Sequence, residues 1–153
     1  MTTYGQALSK AMALCSKSEK CISDIQQKLN DWGVEPVDAQ KIIKNLIAEK
    51  FIDEERYVRF FVRDKFVFNQ WGKVKIAFML KSKKIPPSII EEALNGIDDE
   101  AYLDLLVKLL SDKLKKTKFV NEYDMKGKLV RFAQSRGFEF ETIGKALTEL
   151  KKK

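Results

Sequence analysis

A helix stop, a helix start and an acidic cap recur along this chain at intervals of roughly 50 residues, the length of one small helical unit. Ile22, Ile25, Leu29 and Trp32 fall at i, i+3, i+7 and i+10, the spacing of one helical stripe. Gly33 follows as a C-terminal stop. Pro36 suits the first turn of the next helix, which carries Val37, Ile42, Ile43, Leu46 and Ile47. Asp53 then reads as an N-cap, with Glu54 and Glu55 in the first turn, where the helix dipole favours acids. Ala7, Leu8, Ala11, Met12 and Cys15 trace an earlier amphipathic helix.

The second half follows the same pattern. Pro86-Pro87 opens a helix with Ile89, Ile90, Ala93 and Leu94, and Gly96 stops it. Asp98 takes the cap position before Asp99 and Glu100, and a long helix continues through Tyr102, Leu105, Leu106, Leu109 and Leu110. A third copy begins after the cap candidate Asn121. A constant offset of 53 lays Leu129 on Ile76, Ala133 on Leu80, Phe138 on Ile85, Ile143 on Ile90 and Ala146 on Ala93. The junction Trp32-Gly33-Val34 matches Arg136-Gly137-Phe138. These registers predict an all-α fold of three tandem three-helix repeats, residues 1–52, 53–97 and 98–153. Each unit is too small to bury its own apolar face, so the repeats are expected to stack into an elongated, curved array. Seven glycines and three prolines leave little material for the turns of an all-β chain.

The same residues argue against catalysis. The chain has no histidine, the commonest general base, and Gly72 and Gly127 stand outside any phosphate-binding loop or GxGxxG fingerprint. The carboxylates around Asp53 and Asp98 sit where caps belong. Cys15 and Cys21 cannot complete a tetrahedral zinc site and are poorly placed for a mutual disulfide. No enzyme activity, metal or cofactor is expected. Met1-Thr2-Thr3-Tyr4-Gly5 lacks the basic start and apolar run of a signal peptide, and no apolar stretch approaches a membrane span of roughly 20 residues. The expectation is a cytoplasmic monomer without a membrane partner.

Charge is unevenly spread. The net charge is +7, yet between Arg56 and Lys84 nine basic side chains face one acid, Asp64. Such a stretch attracts a polyanion or an acidic protein surface, or is simply a solvated helix face. Arg56, Arg59 and Arg63 fall at i, i+3 and i+7, and the rest of that helix (Tyr57, Val58, Phe60, Phe61, Val62, Phe66, Val67, Phe68) is apolar. The helix is therefore expected to be buried except for its arginine stripe, whose guanidinium forks suit carboxylates or phosphates. Pairing with acids of neighbouring helices is the competing reading. Trp71 is either core or an anchor for a base or a protein. Candidate contacts are Arg56, Arg59, Arg63, Lys65, Trp71, Lys73, Lys75 and Lys81.

At these residues the chain resembles the RecX family. The resemblance rests on Asp24-Ile25-Gln26-Gln27-Lys28-Leu29, on Phe51-Ile52-Asp53-Glu54-Glu55-Arg56-Tyr57-Val58, and on Trp71-Gly72-Lys73-Val74-Lys75-Ile76 running through Met79-Leu80 to Lys84-Ile85. It spans about residues 7–150. Phe51 and Lys84 stand where the family commonly has glycine, Cys21 where serine is usual, and Lys20 where arginine is common, which bears on turn geometry. The resemblance implies a regulator that binds RecA or the groove of the RecA–single-stranded-DNA filament. It would mostly inhibit strand exchange, ATP hydrolysis and the coprotease role, with single- or double-stranded DNA as a further partner. A DNA-binding protein of helix-turn-helix type and a helical protein–protein adaptor are the rival readings.

Overall fold

The computed structural model describes residues 3–152; Met1 and Thr2, from the start read above for a leader, and Lys153, the last of the terminal lysines, lie outside the described residues. Nine α-helices and no strand occur among the described residues: α1 (Tyr4–Lys17), α2 (Ile22–Asp31), α3 (Pro36–Ala48), α4 (Glu54–Val67), α5 (Lys73–Ser82), α6 (Pro87–Asn95), α7 (Asp99–Lys116), α8 (Glu122–Ser135) and α9 (Phe140–Lys151). No helix is long and apolar enough to cross a membrane.

The caps explain where the helices begin. Asp53 accepts the Arg56 N–H at 3.1 Å, Asp98 accepts the Ala101 N–H at 2.9 Å, and Asn121 accepts the Asp124 N–H at 2.8 Å. Each satisfies one of the amides that a helix start leaves unpaired. Thr3 and Gln6 form a reciprocal capping box on α1. Pro36 opens α3, and Pro87 opens α6, at positions where the missing proline N–H is not needed.

The second and third helices of each triplet are joined by a four-residue turn, residues 32–35, 83–86 and 136–139. The second residue of each turn is left-handed: Gly33 (φ 73°), Lys84 (φ 61°) and Gly137 (φ 92°). A glycine adopts that conformation freely, whereas a lysine does so at a cost. The turn geometry questioned at Lys84 is therefore retained. Near the other departure, the left-handed residue is Lys50 (φ 62°), one position before Phe51. Gly96, read as a stop, ends α6 without a left-handed backbone.

The chain packs as two compact units. One takes the chain up to Phe61 together with Leu80–Ile90; the other takes Val62–Met79 and the chain from Glu91 onward. In the first unit α1, α2 and α3 close over Ala7, Ala11, Ile25, Leu29, Ile42 and Leu46, with Ile52 against them. In the second, α7 packs on α8 and α9, with Leu106, Leu110, Leu129, Ala133, Ile143 and Ala146 buried on the three helices. Each fully buried leucine or isoleucine contributes about 1.5–3 kcal/mol over an exposed one. The positions aligned by the 53-residue offset share this burial: Ile76 with Leu129, Leu80 with Ala133, Ile85 with Phe138, and Ile90 with Ile143. Both thiols are free, and Cys21 is buried.

Candidate functional site

The arginine-bearing helix differs from its expected form. Phe60, Val67 and Phe68 are 48%, 54% and 77% exposed, so the outer face of α4 and the residue after it mixes aromatic and cationic groups. The expectation of a buried helix with a bare arginine stripe is corrected accordingly. A ring of apolar residues around a helix does not dictate burial when neighbours cover only part of it. Val58 and Val62 turn inward instead, 0% and 5% exposed.

The three arginines have different surroundings. The Arg56 Nε donates to both Glu19 oxygens at 2.8–2.9 Å, and its Nη2 donates to the Lys50 carbonyl at 3.1 Å. This guanidinium ties α4 to the residues before α2 and to the turn after α3. Arg59 and Arg63 are exposed, and among the described residues neither guanidinium has an ion-pair or hydrogen-bond partner. They are the charges of this stripe that remain available. Lys81, in the last turn of α5, is exposed as well.

Elsewhere in the first unit, Asp24 near the start of α2 accepts Lys83 Nζ at 2.5 Å and the Cys21 N–H at 3.3 Å. Burial works to raise the Asp24 pKa, but these bonds outweigh it and hold the carboxyl below its usual value. Glu54 accepts the Ile22 N–H at 3.2 Å, and burial pushes its carboxyl up. The acids at the start of α4 thus cap two helices, Asp53 its own and Glu54 the start of α2.

The second unit gathers Lys65, Trp71, Lys73 and Lys75 at the junction between α4 and α5. The backbone sets this junction. The Gly72 N–H donates to the Arg136 carbonyl at 2.7 Å, and the Val74 N–H donates to the Gly137 carbonyl at 2.9 Å. A Cβ on Gly72 would lie 2.3 Å from the Gly137 carbonyl oxygen, and one on Gly137 would lie 2.3 Å from Lys75 Cβ. Two glycines without side chains are what allow these segments to touch. Beside the crossing, half-buried Trp71 has Lys65 Nζ and Lys75 Nζ over its ring, 5.1 and 4.5 Å from the centroid. Such contacts hold cations by the ring quadrupole. The indole therefore orients two ammonium groups rather than presenting a bare platform.

Lys73 donates its backbone N–H to the Tyr102 hydroxyl at 2.8 Å and sets Nζ 4.7 Å from the Tyr102 ring. The Tyr102 hydroxyl in turn donates to Glu139, the residue preceding α9. Burial, then the bond to Glu139, keeps this phenol protonated far above the ordinary tyrosine range. Phe66 and Phe138 stack on the same ring at 6.0 and 5.1 Å. Arg136 adds a further cation, donating to the Asn69 carbonyl at 3.2 Å. Sequence reading took Tyr102 as part of an apolar stripe and gave Arg136 and Glu139 no site role. The signal available in the sequence was the match of the junction Arg136-Gly137-Phe138 to Trp32-Gly33-Val34. The arrangement has cations held at fixed positions and no nucleophile–base pair, which suits binding an anionic surface.

Comparisons with known proteins agree with the repeat. Residues 53–94 match the family model described as RecX, second three-helix domain, and residues 99–147 match RecX, third three-helix domain. A regulatory protein RecX of Vibrio parahaemolyticus is 31% identical over 140 residues, covering 90% of this chain and 87% of the relative. That of Clostridium tetani is 30% identical over 150 residues, covering 96% of this chain and 68% of the relative. The chain spans half the length of the Lactobacillus johnsonii relative, to which it is 26% identical. The crystal structure of RecX from Lactobacillus salivarius superposes with a TM-score of 0.89 at 20% identity, covering 97% of this chain and 96% of that one. A second crystal structure, of a regulatory protein RecX, gives a TM-score of 0.84 at 22% identity over 94% of this chain and 74% of that one. These two likenesses establish the fold. With two consecutive domain models and relatives at 30–31% identity along most of both chains, this chain belongs to the RecX family of regulatory proteins.

Proposed function

We propose that this chain binds RecA or the RecA–single-stranded-DNA filament and restrains its recombinase, ATPase and coprotease activities. It acts as a cytoplasmic monomer and by occupancy rather than turnover. The observation that carries this reading is the exposed face of α4, where the Arg59 and Arg63 guanidinium groups lack partners among the described residues and Phe60 stands between them in sequence. Arginine beside an exposed aromatic is the composition of protein-interface anchors, and the guanidinium fork suits carboxylates and phosphates alike. Lys65, Trp71, Lys73, Lys75 and Lys81 are proposed as supporting contacts, and Arg56 as the residue that fixes the start of the helix. The helix-turn-helix rival fares worse in the middle repeat. There the second helix of the pair, α6, exposes Glu91 and Glu92 and carries no basic residue to set against phosphates.

The test is RecA ATPase on single-stranded DNA with increasing amounts of this protein, beside the Arg59→Glu/Arg63→Glu variant. The wild type is expected to lower the rate at near-stoichiometric amounts, and the variant to require on the order of tenfold more or greater, since reversing two interface charges costs a few kcal/mol. An unchanged ATPase, with no filament association in a pull-down at moderate salt, refutes the proposal. A variant as potent as the wild type removes the α4 face from it.

A further inference from the structure

Twice in this chain the first helix of one triplet is seated on the start of the second helix of the triplet before it. At α2 the Ile22 N–H donates to Glu54 of α4 at 3.2 Å, and at α5 the Lys73 N–H donates to the Tyr102 hydroxyl of α7 at 2.8 Å. The two seated helices begin alike, Asp53-Glu54-Glu55-Arg56-Tyr57 and Asp98-Asp99-Glu100-Ala101-Tyr102. Each brings acids in its first turn and a tyrosine four residues after its cap, and both tyrosines are buried.

The start of α8 is the equivalent place in the third triplet, and among the described residues no helix is seated on it. A cleft of about 170 Å³ lies there instead, between α8 and α9, floored by Met125, Leu129, Leu147 and Leu150. The 53-residue offset lays Lys126 on Lys73 and Leu150 on Ile97; Ile97 is buried, whereas Leu150 is only partly covered. Gly144, inside α9, lines the same cleft. A Cβ there would meet nothing within 4 Å and its φ is not positive, so the fold requires no glycine at a position where a helix favours alanine. The missing side chain leaves the cleft open.

We propose that this cleft seats an amphipathic helix of another protein, one that opens with an acidic first turn and carries an aromatic side chain four residues after its cap. The size selects the aromatic anchor, because an apolar cavity of roughly 150 Å³ accepts one benzene ring. The rim selects the acids. The Lys126 ammonium has no partner among the described residues, and Lys151 stands 4.0 Å from Glu122 in a pair whose members are both exposed, so the rim is net positive. A second copy of this chain does not supply such a helix: α4 and α7 are already seated, and α1 has no acid in its first turn. None of the residues proposed for the filament lines this cleft, so the two readings fail separately.

The chain itself provides the probe, a fluorescent peptide of residues 97–112 that carries the acidic start and Tyr102, titrated with the whole protein and followed by anisotropy. Saturable binding is expected, and Tyr102→Ala in the peptide should weaken it at least about 30-fold, as loss of a buried aromatic anchor does. In the protein, Gly144→Leu fills the cleft and should abolish binding while melting no lower than the wild type, which separates binding from folding. Lys126→Glu should weaken binding about fivefold, and Arg59→Glu/Arg63→Glu should leave it within error of wild type. Absence of saturable binding overturns the proposal. So does a Gly144→Leu protein that binds as well as the wild type, since the peptide then exchanges with the seated α7. A dimer in sedimentation that Gly144→Leu abolishes overturns it as well, because the cleft then belongs to a second copy.

Discussion

Gly72→Ala tests whether the crossing of the α4–α5 junction with the turn after α8 is as tight as its geometry implies. The added methyl would sit 2.3 Å from the Gly137 carbonyl oxygen, 2.4 Å from its carbon and 2.5 Å from the Phe138 nitrogen. All three are backbone atoms, so no side-chain rotation relieves the overlap. Relief requires the segments to part by more than 1 Å, which lengthens the Gly72–Arg136 and Val74–Gly137 hydrogen bonds beyond usefulness. Overpacking costs about 1–3 kcal/mol, and two lost backbone bonds cost about 0.5–1.5 kcal/mol each. The sum is about 2–6 kcal/mol, a large share of the 5–15 kcal/mol typical of a folded domain. Urea unfolding followed by far-ultraviolet circular dichroism measures it. Gly144→Ala is the control, because a Cβ there meets nothing within 4 Å and alanine favours the helix by about 0.8–1 kcal/mol. A Gly72→Ala midpoint within error of the wild type would refute the close-approach argument.

Two further outcomes follow from the first unit. Arg56→Ala removes the half-exposed pair with Glu19 and the bond to the Lys50 carbonyl, and should cost about 1 kcal/mol in the same unfolding assay. Asp24, held below its ordinary pKa in the folded state, contributes stability that is present above that value and lost as pH falls through the folded pKa. Asp24→Asn should therefore be less stable than wild type at neutral pH, with the gap closing below about pH 4; a gap independent of pH would show that the carboxylate charge is not what stabilises.

How much was readable in advance follows from the range of the interactions involved. The caps Asp53, Asp98 and Asn121 and the offset apolar positions were legible because a cap acts over three residues and a stripe over one helix. The fate of Arg56 was not, since nothing local says that Glu19, 37 residues earlier, will meet it. Tyr102 was counted as apolar because periodicity registers its ring and not its hydroxyl, whose partners are Lys73 at the start of α5 and Glu139 in the turn before α9. Exposure of Phe60 and Phe68 escaped for a related reason. Periodicity gives the faces of a helix and leaves open how many of them find a neighbour. Gly137 was legible as a junction residue by its match to Gly33, while Gly72 was seen only to belong to no phosphate loop, and their contact with each other is a tertiary fact.

The second residue of each four-residue turn is left-handed at Gly33, Lys84 and Gly137, and Lys84→Gly measures what that conformation costs a lysine in stability. A non-glycine residue at positive φ costs about 1–2 kcal/mol, and glycine returns about 0.5–1 kcal/mol of that through the greater freedom of the unfolded chain. The variant should be more stable by about 0–1.5 kcal/mol, shifting the melting temperature by up to about 6 °C for a chain of this length. The reverse change, Gly33→Lys, should cost a similar amount, since a Cβ at Gly33 meets nothing within 4 Å and only its φ of 73° resists. At Gly137 the same substitution should be far worse, because Lys75 Cβ occupies the space at 2.3 Å. One conformation in three turns therefore carries three different constraints. It is unopposed at Gly33, sterically closed at Gly137, and at Lys84 occupied by a side chain the fold would be steadier without. A Lys84→Gly protein less stable than wild type by about 1 kcal/mol or more would show that the lysine supports the fold itself.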